Sequence, residues 1–150
     1  MHLANNILPK ELSEARSDVL DAFANLEYAV AEAIKVSELE AGCEGSPLGQ
    51  KLEILAGLKP GPKLSKAKTK IVTDAAVKAQ SLCEIRNDLV HSRMQFVAGH
   101  PNIAIYINVR AINQPYPKAR VLTVDQHCNL AQEAKTITDR INEWRLSDKK

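Results

Sequence analysis

Nothing in this sequence is apolar for long enough to cross a bilayer, since no window approaches the roughly 18 consecutive apolar residues that a helical span needs. No membrane association is expected. The opening MHLANNILPKE also lacks an apolar stretch of the length a secretory signal carries, so no signal is expected. Cysteine is scarce and scattered: Cys43, Cys83 and Cys128, with no CxxC spacing. An odd, dispersed set argues against a disulfide framework and for a reduced, cytoplasmic protein. Cys83 lies among apolar helix residues and is expected in the core. The neighbours His127 and Cys128 lack a second pair of donors, so no metal site is expected, and nothing implies a cofactor.

Charge of one sign is lacking as well. A formal net charge of +2 over 150 residues gives no global signature of a nucleic-acid binder. Locally the balance differs. Residues 59–70 read KPGPKLSKAKTK, with five lysines and no acid. This run is either a solvated interhelical loop entering a helix or a patch that meets phosphates through Lys63, Lys66, Lys68 and Lys70. Aromatics are few, and only Tyr106, Tyr116 and Phe96 fall where bases could stack. A core or hairpin role is expected for each.

What is present is helical periodicity. With an ordinary apolar fraction and 150 residues, one domain spanning 1–150 is the economical expectation. From about Pro9 to Ala41, Leu12, Val19, Leu26 and Ala33 recur every seven, with Phe23 and Val30 between them, a seam of bundle type. A short second helix follows, with Ser46 as N-cap, Pro47 in the first helical position and Leu48, Leu52, Leu55 and Leu58 as its stripe. The third helix runs from about Ser65 to Ser92 without Gly or Pro. The period then changes to two. Met94 to Ala98, a GHPN turn at 99–102 and Ile103 to Val109 read as a β-hairpin, and residues 118–122 as a short third strand. Thr123-Val-Asp-Gln126 has the form of a capping box opening a last helix to about Trp144, with Leu130, Ala134, Ile137 and Ile141 on one face. The expected class is mainly α: a four-helix bundle with a small β-hairpin or three-stranded insertion between the third and last helices.

The third helix ends on EIRNDLVHSRM, residues 84–94, where polar groups crowd a helix otherwise rich in Ala, Val, Leu and Ile. On a wheel of 100° per residue, Ile71, Ala75, Leu82, Ile85 and Leu89 share a face widened by Val72, Ala79, Cys83 and Val90. Asn87 and His91, four apart, lie at its edge, and Asp88 points to solvent. Arg86 falls within the apolar arc. A buried guanidinium needs a partner, a route to water or a ligand. It can pair with a first-helix glutamate, Glu27 or Glu32, while His91 bonds the last carbonyls of its own helix. Alternatively the groups converge for chemistry. Arg binds phosphate through a fixed fork, and an imidazole serves as general base or acid. Asn87 beside them can orient either one. Such a set suits metal-free phosphodiester transfer in RNA, where the 2′-OH is the nucleophile.

Arg86-Asn87-Asp88-Leu89-Val90-His91, an Arg, a polar residue, three more and a His near the end of a long helix, resembles the signature of HEPN domains. That resemblance covers about residues 10–145. It implies a small helical bundle, a homodimer with the motif at the protomer interface, and metal-independent endoribonuclease activity of toxin or antiviral-defence kind. Arg86 and His91 would be the catalytic pair and Asn87 the supporting residue, with RNA as substrate and an antitoxin as a partner. The family also includes members without ribonuclease activity. The alternatives are therefore a non-catalytic protein-interaction module and a nucleotide- or phosphate-binding module of the same fold.

Overall fold

In the computed structural model, described residues cover 9–36, 47–62, 64–108 and 119–147. Among the described residues, four helices and three strands follow in the order α1 (Lys10–Val36), α2 (Leu48–Ala56), α3 (Lys66–Val90), β1 (Ser92–Val97), β2 (His100–Asn108), β3 (Ala119–Thr123) and α4 (Val124–Ser147). The chain is mainly helical with a small antiparallel sheet of order β1-β2-β3 between the third and last helices, as the periodicity predicts. Among the described residues, no helix is long and apolar enough to cross a membrane.

Two compact units divide the chain. One comprises Met1–Asp21 with Ile85–Ala131, the other Ala22–Glu84 with Gln132–Lys150. In the first, the start of α1 buries Leu12, Ala15 and Val19, the end of α3 buries Leu89, and α4 buries His127 and Leu130. The sheet buries Met94, Ala104, Tyr106 and Leu122 there. In the second unit, Leu26 and Ala33 continue the seven-residue seam of α1 with Val30 between them, and all three are fully buried, as are Leu52 and Leu55 of α2. Ala134, Ile137, Ile141 and Trp144 form the buried stripe of α4.

The helix starts differ in how well local chemistry defines them. Thr123 and Gln126 make the capping box in full: the Thr123 amide donates to Gln126 Oε1 at 2.9 Å and the Gln126 amide to Thr123 Oγ1 at 3.1 Å. Thr123→Ala removes one of these bonds and is expected to lower stability by about 1 kcal/mol in chemical denaturation. Ser65 caps α3 through Oγ, which accepts the Lys68 amide at 3.2 Å. For α2 the expected start shifts by one residue. Pro47 is the N-cap rather than the first helical residue, because its ψ of 154° is extended. Its carbonyl already accepts the Lys51 amide, the bond an N-cap carbonyl makes. Ser46 and Cys43 lie outside the described residues, as do Lys63, Val109 and Tyr116.

The hairpin is tighter than the expected four-residue turn. Ala98 and Gly99 connect the strands, Gly99 at φ 81°, where a side chain would be strained. His100, Pro101 and Asn102 belong to β2, with a register shift between Phe96 and Val97. That irregularity gives Pro101 a place where its missing N–H breaks no regular ladder. The buried face of β2 carries Ala104 and Tyr106, while Ile103, Ile105 and Ile107 are only half-buried on the other face. Hydropathy alone would turn the isoleucines inward. The inward face instead satisfies the polar ends of Tyr106 and Asn108, each of which finds a hydrogen-bond partner there.

Candidate functional site at the end of the third helix

The buried line of α3 runs through Val72 and Ala79 in steps of seven, and Arg86 is the next step. Its half-buried position in the apolar arc therefore follows from the helix period. Two neighbours on that wheel differ from expectation. Ile71 is 48% and Val90 43% exposed, so the buried arc is centred on Val72, Ala76 and Ala79 and is narrower than the apolar one. Cys83 is half-buried rather than in the core, its Sγ 3.6 Å from the Ala79 carbonyl.

The Arg86 guanidinium donates through Nη1 to Asn87 Oδ1 at 3.0 Å. Asn87 is exposed and Arg86 and His91 are half-buried. The His91 amide donates to the Asn87 carbonyl at 3.0 Å, which carries helical geometry to His91 itself. Arg86, Asn87 and His91 thus occupy little more than one turn, and the Arg–Asn contact is direct. Of the two glutamates weighed as partners for Arg86, Glu32 is engaged by Arg145 at 3.6 Å.

Asp88 does not point to solvent. Its Oδ2 accepts Arg120 Nε at 2.9 Å and Arg120 Nη2 at 2.8 Å, and its Oδ1 accepts Asn108 Nδ2 at 3.2 Å. The wheel missed this because it knows only the apolar side of the helix. Where α3 ends, two strands of the sheet supply partners for a second side. Asn108 and Arg120 sit in the inward phase of β2 and β3, since Tyr106, two before Asn108, is buried and pairs with Arg120. Polar residues in the inward phase of an alternating strand are the one signal in the sequence that foreshadows this network.

The lysine patch is less coherent. Lys66 is exposed, Lys68 half-buried, and Lys70 pairs with Asp74 one turn on at 2.9 Å. An exposed pair of this spacing is worth only a few tenths of a kcal/mol, so it leaves Lys70 available to an anion. The aromatics considered for stacking divide too: Tyr106 is fully buried and Phe96 half-buried.

A buried histidine–tyrosine pair also lies in the first unit. His127, fully buried, approaches the Thr123 carbonyl through Nδ1 at 2.6 Å and the Tyr106 hydroxyl through Nε2 at 2.7 Å. A carbonyl only accepts, so Nδ1 carries the proton and Nε2 accepts from Tyr106. Met94 Sδ lies 3.2 Å from the same hydroxyl. Burial lowers the His127 pKa from 6.5; the Thr123 bond opposes that shift and the Arg16 charge reinforces it. Burial pushes the Tyr106 phenol up to about 12, with Arg16 pulling it partly back. With both ring nitrogens occupied, His127 is a neutral structural residue. Among the described residues no three His, Cys, Asp or Glu side chains gather as a metal site would require.

No family model matches the chain, and neither a curated protein nor a solved structure does. The functional reading therefore rests on the residues themselves.

Proposed function

We propose that this chain is a metal-independent endoribonuclease of HEPN type, an RNA-cutting bundle that works as a homodimer through Arg86 and His91. The observation that carries the proposal is the hydrogen bond from Arg86 to Asn87 in the same helix end that presents His91. A guanidinium is a planar fork of N–H donors whose geometry matches phosphate oxygens. His91 removes the proton of an RNA 2′-OH, and the 2′-oxygen attacks the adjacent phosphorus. Arg86 stabilises the negative charge on the five-coordinate phosphorane. The 5′-oxygen leaves and takes a proton, from the second protomer's imidazole in the dimer, giving a 2′,3′-cyclic phosphate and a 5′-hydroxyl.

The test is incubation of wild-type protein with mixed-sequence RNA in EDTA, followed by analysis of the 3′ ends. Cyclic-phosphate products support the reading; a folded dimer that leaves every RNA intact counts against it. Lys66 and Lys68, and Lys63 and Lys70 with them, supply non-specific backbone contacts. In RNA titrations at several salt concentrations, the double variant Lys66→Ala/Lys68→Ala is expected to flatten the log–log salt slope by about 0.7 per lysine. An unchanged slope excludes this patch from the RNA path.

A second reading, a protein-interaction module of the same fold, draws on the outer face of the sheet. Val121 is 54% exposed beside Ile105, its register partner, and Val97 is exposed on β1. An inert protein toward RNA that self-associates or binds protein through this face would favour it.

A further inference from the structure

Asp88 stands inside the Arg86–His91 stretch, yet its carboxylate bonds go to the sheet. Partners come from two different strands, 20 and 32 residues away in sequence, and they engage both carboxylate oxygens. The Lys70–Asp74 pair on the same helix is a contrast: it is local, one turn apart, with both side chains more than half exposed. The Asp88 and Arg120 side chains are only about a quarter exposed, 24% and 26%. Helix ends fray because their last carbonyls lack intrahelical donors. The turn that carries Arg86, Asn87 and His91 is such an end, closed by the His91–Asn87 backbone bond.

We propose that Asp88, Arg120 and Asn108 form a clamp that makes Asp88 the positioning residue of the site, holding the last turn of α3 so that Arg86 and His91 are presented together. Its functional consequence rests on the endoribonuclease reading; its structural consequence does not. Asp88 touches no substrate in this scheme and acts only through its neighbours. The clamp also explains why an acid is tolerated beside a site for anionic RNA. Its charge is met by Arg120 on the sheet side of the helix.

The test compares wild type with Arg120→Gln, Arg120→Lys and the double variant Asp88→Asn/Arg120→Gln. Amide hydrogen exchange at Leu89, Val90 and His91 is the first readout, and kcat and KM for RNA cleavage the second. Arg120→Gln is expected to speed His91 exchange by about ten-fold or more relative to amides of the same helix at Ala75–Ala79. It should lower kcat with little change in KM, and Arg120→Lys should restore part of both. If Arg120→Gln fails to fold, the double variant, which leaves no lone half-buried charge, provides the same comparison. Unchanged exchange at 89–91 overturns the clamp, and faster exchange with full kcat overturns its positioning role. A wild type that cuts no RNA refutes the enzymatic reading, and the exchange data then decide the clamp by themselves.

Discussion

His91→Ala is expected to reduce EDTA-resistant RNA cleavage by roughly 10²- to 10⁴-fold, the range spanned by loss of a general acid–base group. The same variant should unfold at nearly the wild-type temperature. His91 is half-buried at the end of α3, and its backbone amide bond to Asn87 does not depend on its side chain. A fall in cleavage at constant stability therefore locates the effect in chemistry. A parallel fall in both would make His91 a structural helix-end residue. Arg86 provides the complementary test. Arg86→Lys keeps the charge but loses the fork that bonds Asn87 Oδ1 and that, in the proposed mechanism, also meets the phosphate, so it should restore little of the activity that Arg86→Ala removes. Full activity of Arg86→Lys would show that a point charge suffices.

The largest stability effect is expected at the buried pair. His127→Leu replaces the imidazole by an apolar side chain of similar size, leaves the Tyr106 hydroxyl only the weakly accepting Met94 sulfur, and removes a bond to the Thr123 carbonyl. Two polar groups losing a partner, one of them the fully buried phenol, predict a loss of about 2–5 kcal/mol in urea or guanidinium unfolding. Tyr106→Phe, which strands only His127 Nε2, should lose about 1–3 kcal/mol. Retention of wild-type stability by both would mean that the cluster relaxes without these bonds.

The pair also gives the stability curve a defined sign at both ends. His127 has a lowered pKa in the folded state, so the unfolded chain binds the proton first as pH falls. Its contribution is complete above the unfolded value of 6.5 and declines as pH drops below it, by at most about 1.4 kcal/mol per pH unit. The difference between wild type and His127→Leu isolates this histidine from the others. Tyr106 behaves oppositely. Its pKa rises from 10.0 to about 12, so the unfolded phenol ionises first and stability falls between those values, by an amount approaching 2–3 kcal/mol. Tyr106→Phe should lack that alkaline loss. A pH profile identical in wild type and both variants would show that neither group is linked to folding.

Much of this architecture was legible because it is local. The seam Leu12–Val19–Leu26–Ala33 repeats with the helix, and all four residues are buried. The Thr123–Gln126 box closes within four residues, and both its hydrogen bonds form. Arg86, Asn87 and His91 lie within six residues, so the wheel alone brings them to one helix end. The tight Ala98–Gly99 turn was misplaced because His100-Pro-Asn reads as turn chemistry, while the register shift after Phe96 absorbs those residues into β2. The solvent assignment of Asp88 failed for a different reason. Its partners belong to strands that fold back onto the helix end.

By itself, then, the sequence determined the mainly helical class, the buried stripes of the first and last helices, the change of period after the third helix and the polar cluster that ends it. Each follows from bond geometry and side-chain chemistry within a few turns of chain. Only the tertiary structure decided which face of β2 is buried, that Tyr106 and His127, 21 residues apart, are joined by a hydrogen bond, and that Asp88 answers to Asn108 and Arg120. A hydrogen bond requires two groups within about 3 Å, and for distant residues that proximity is a property of the folded chain.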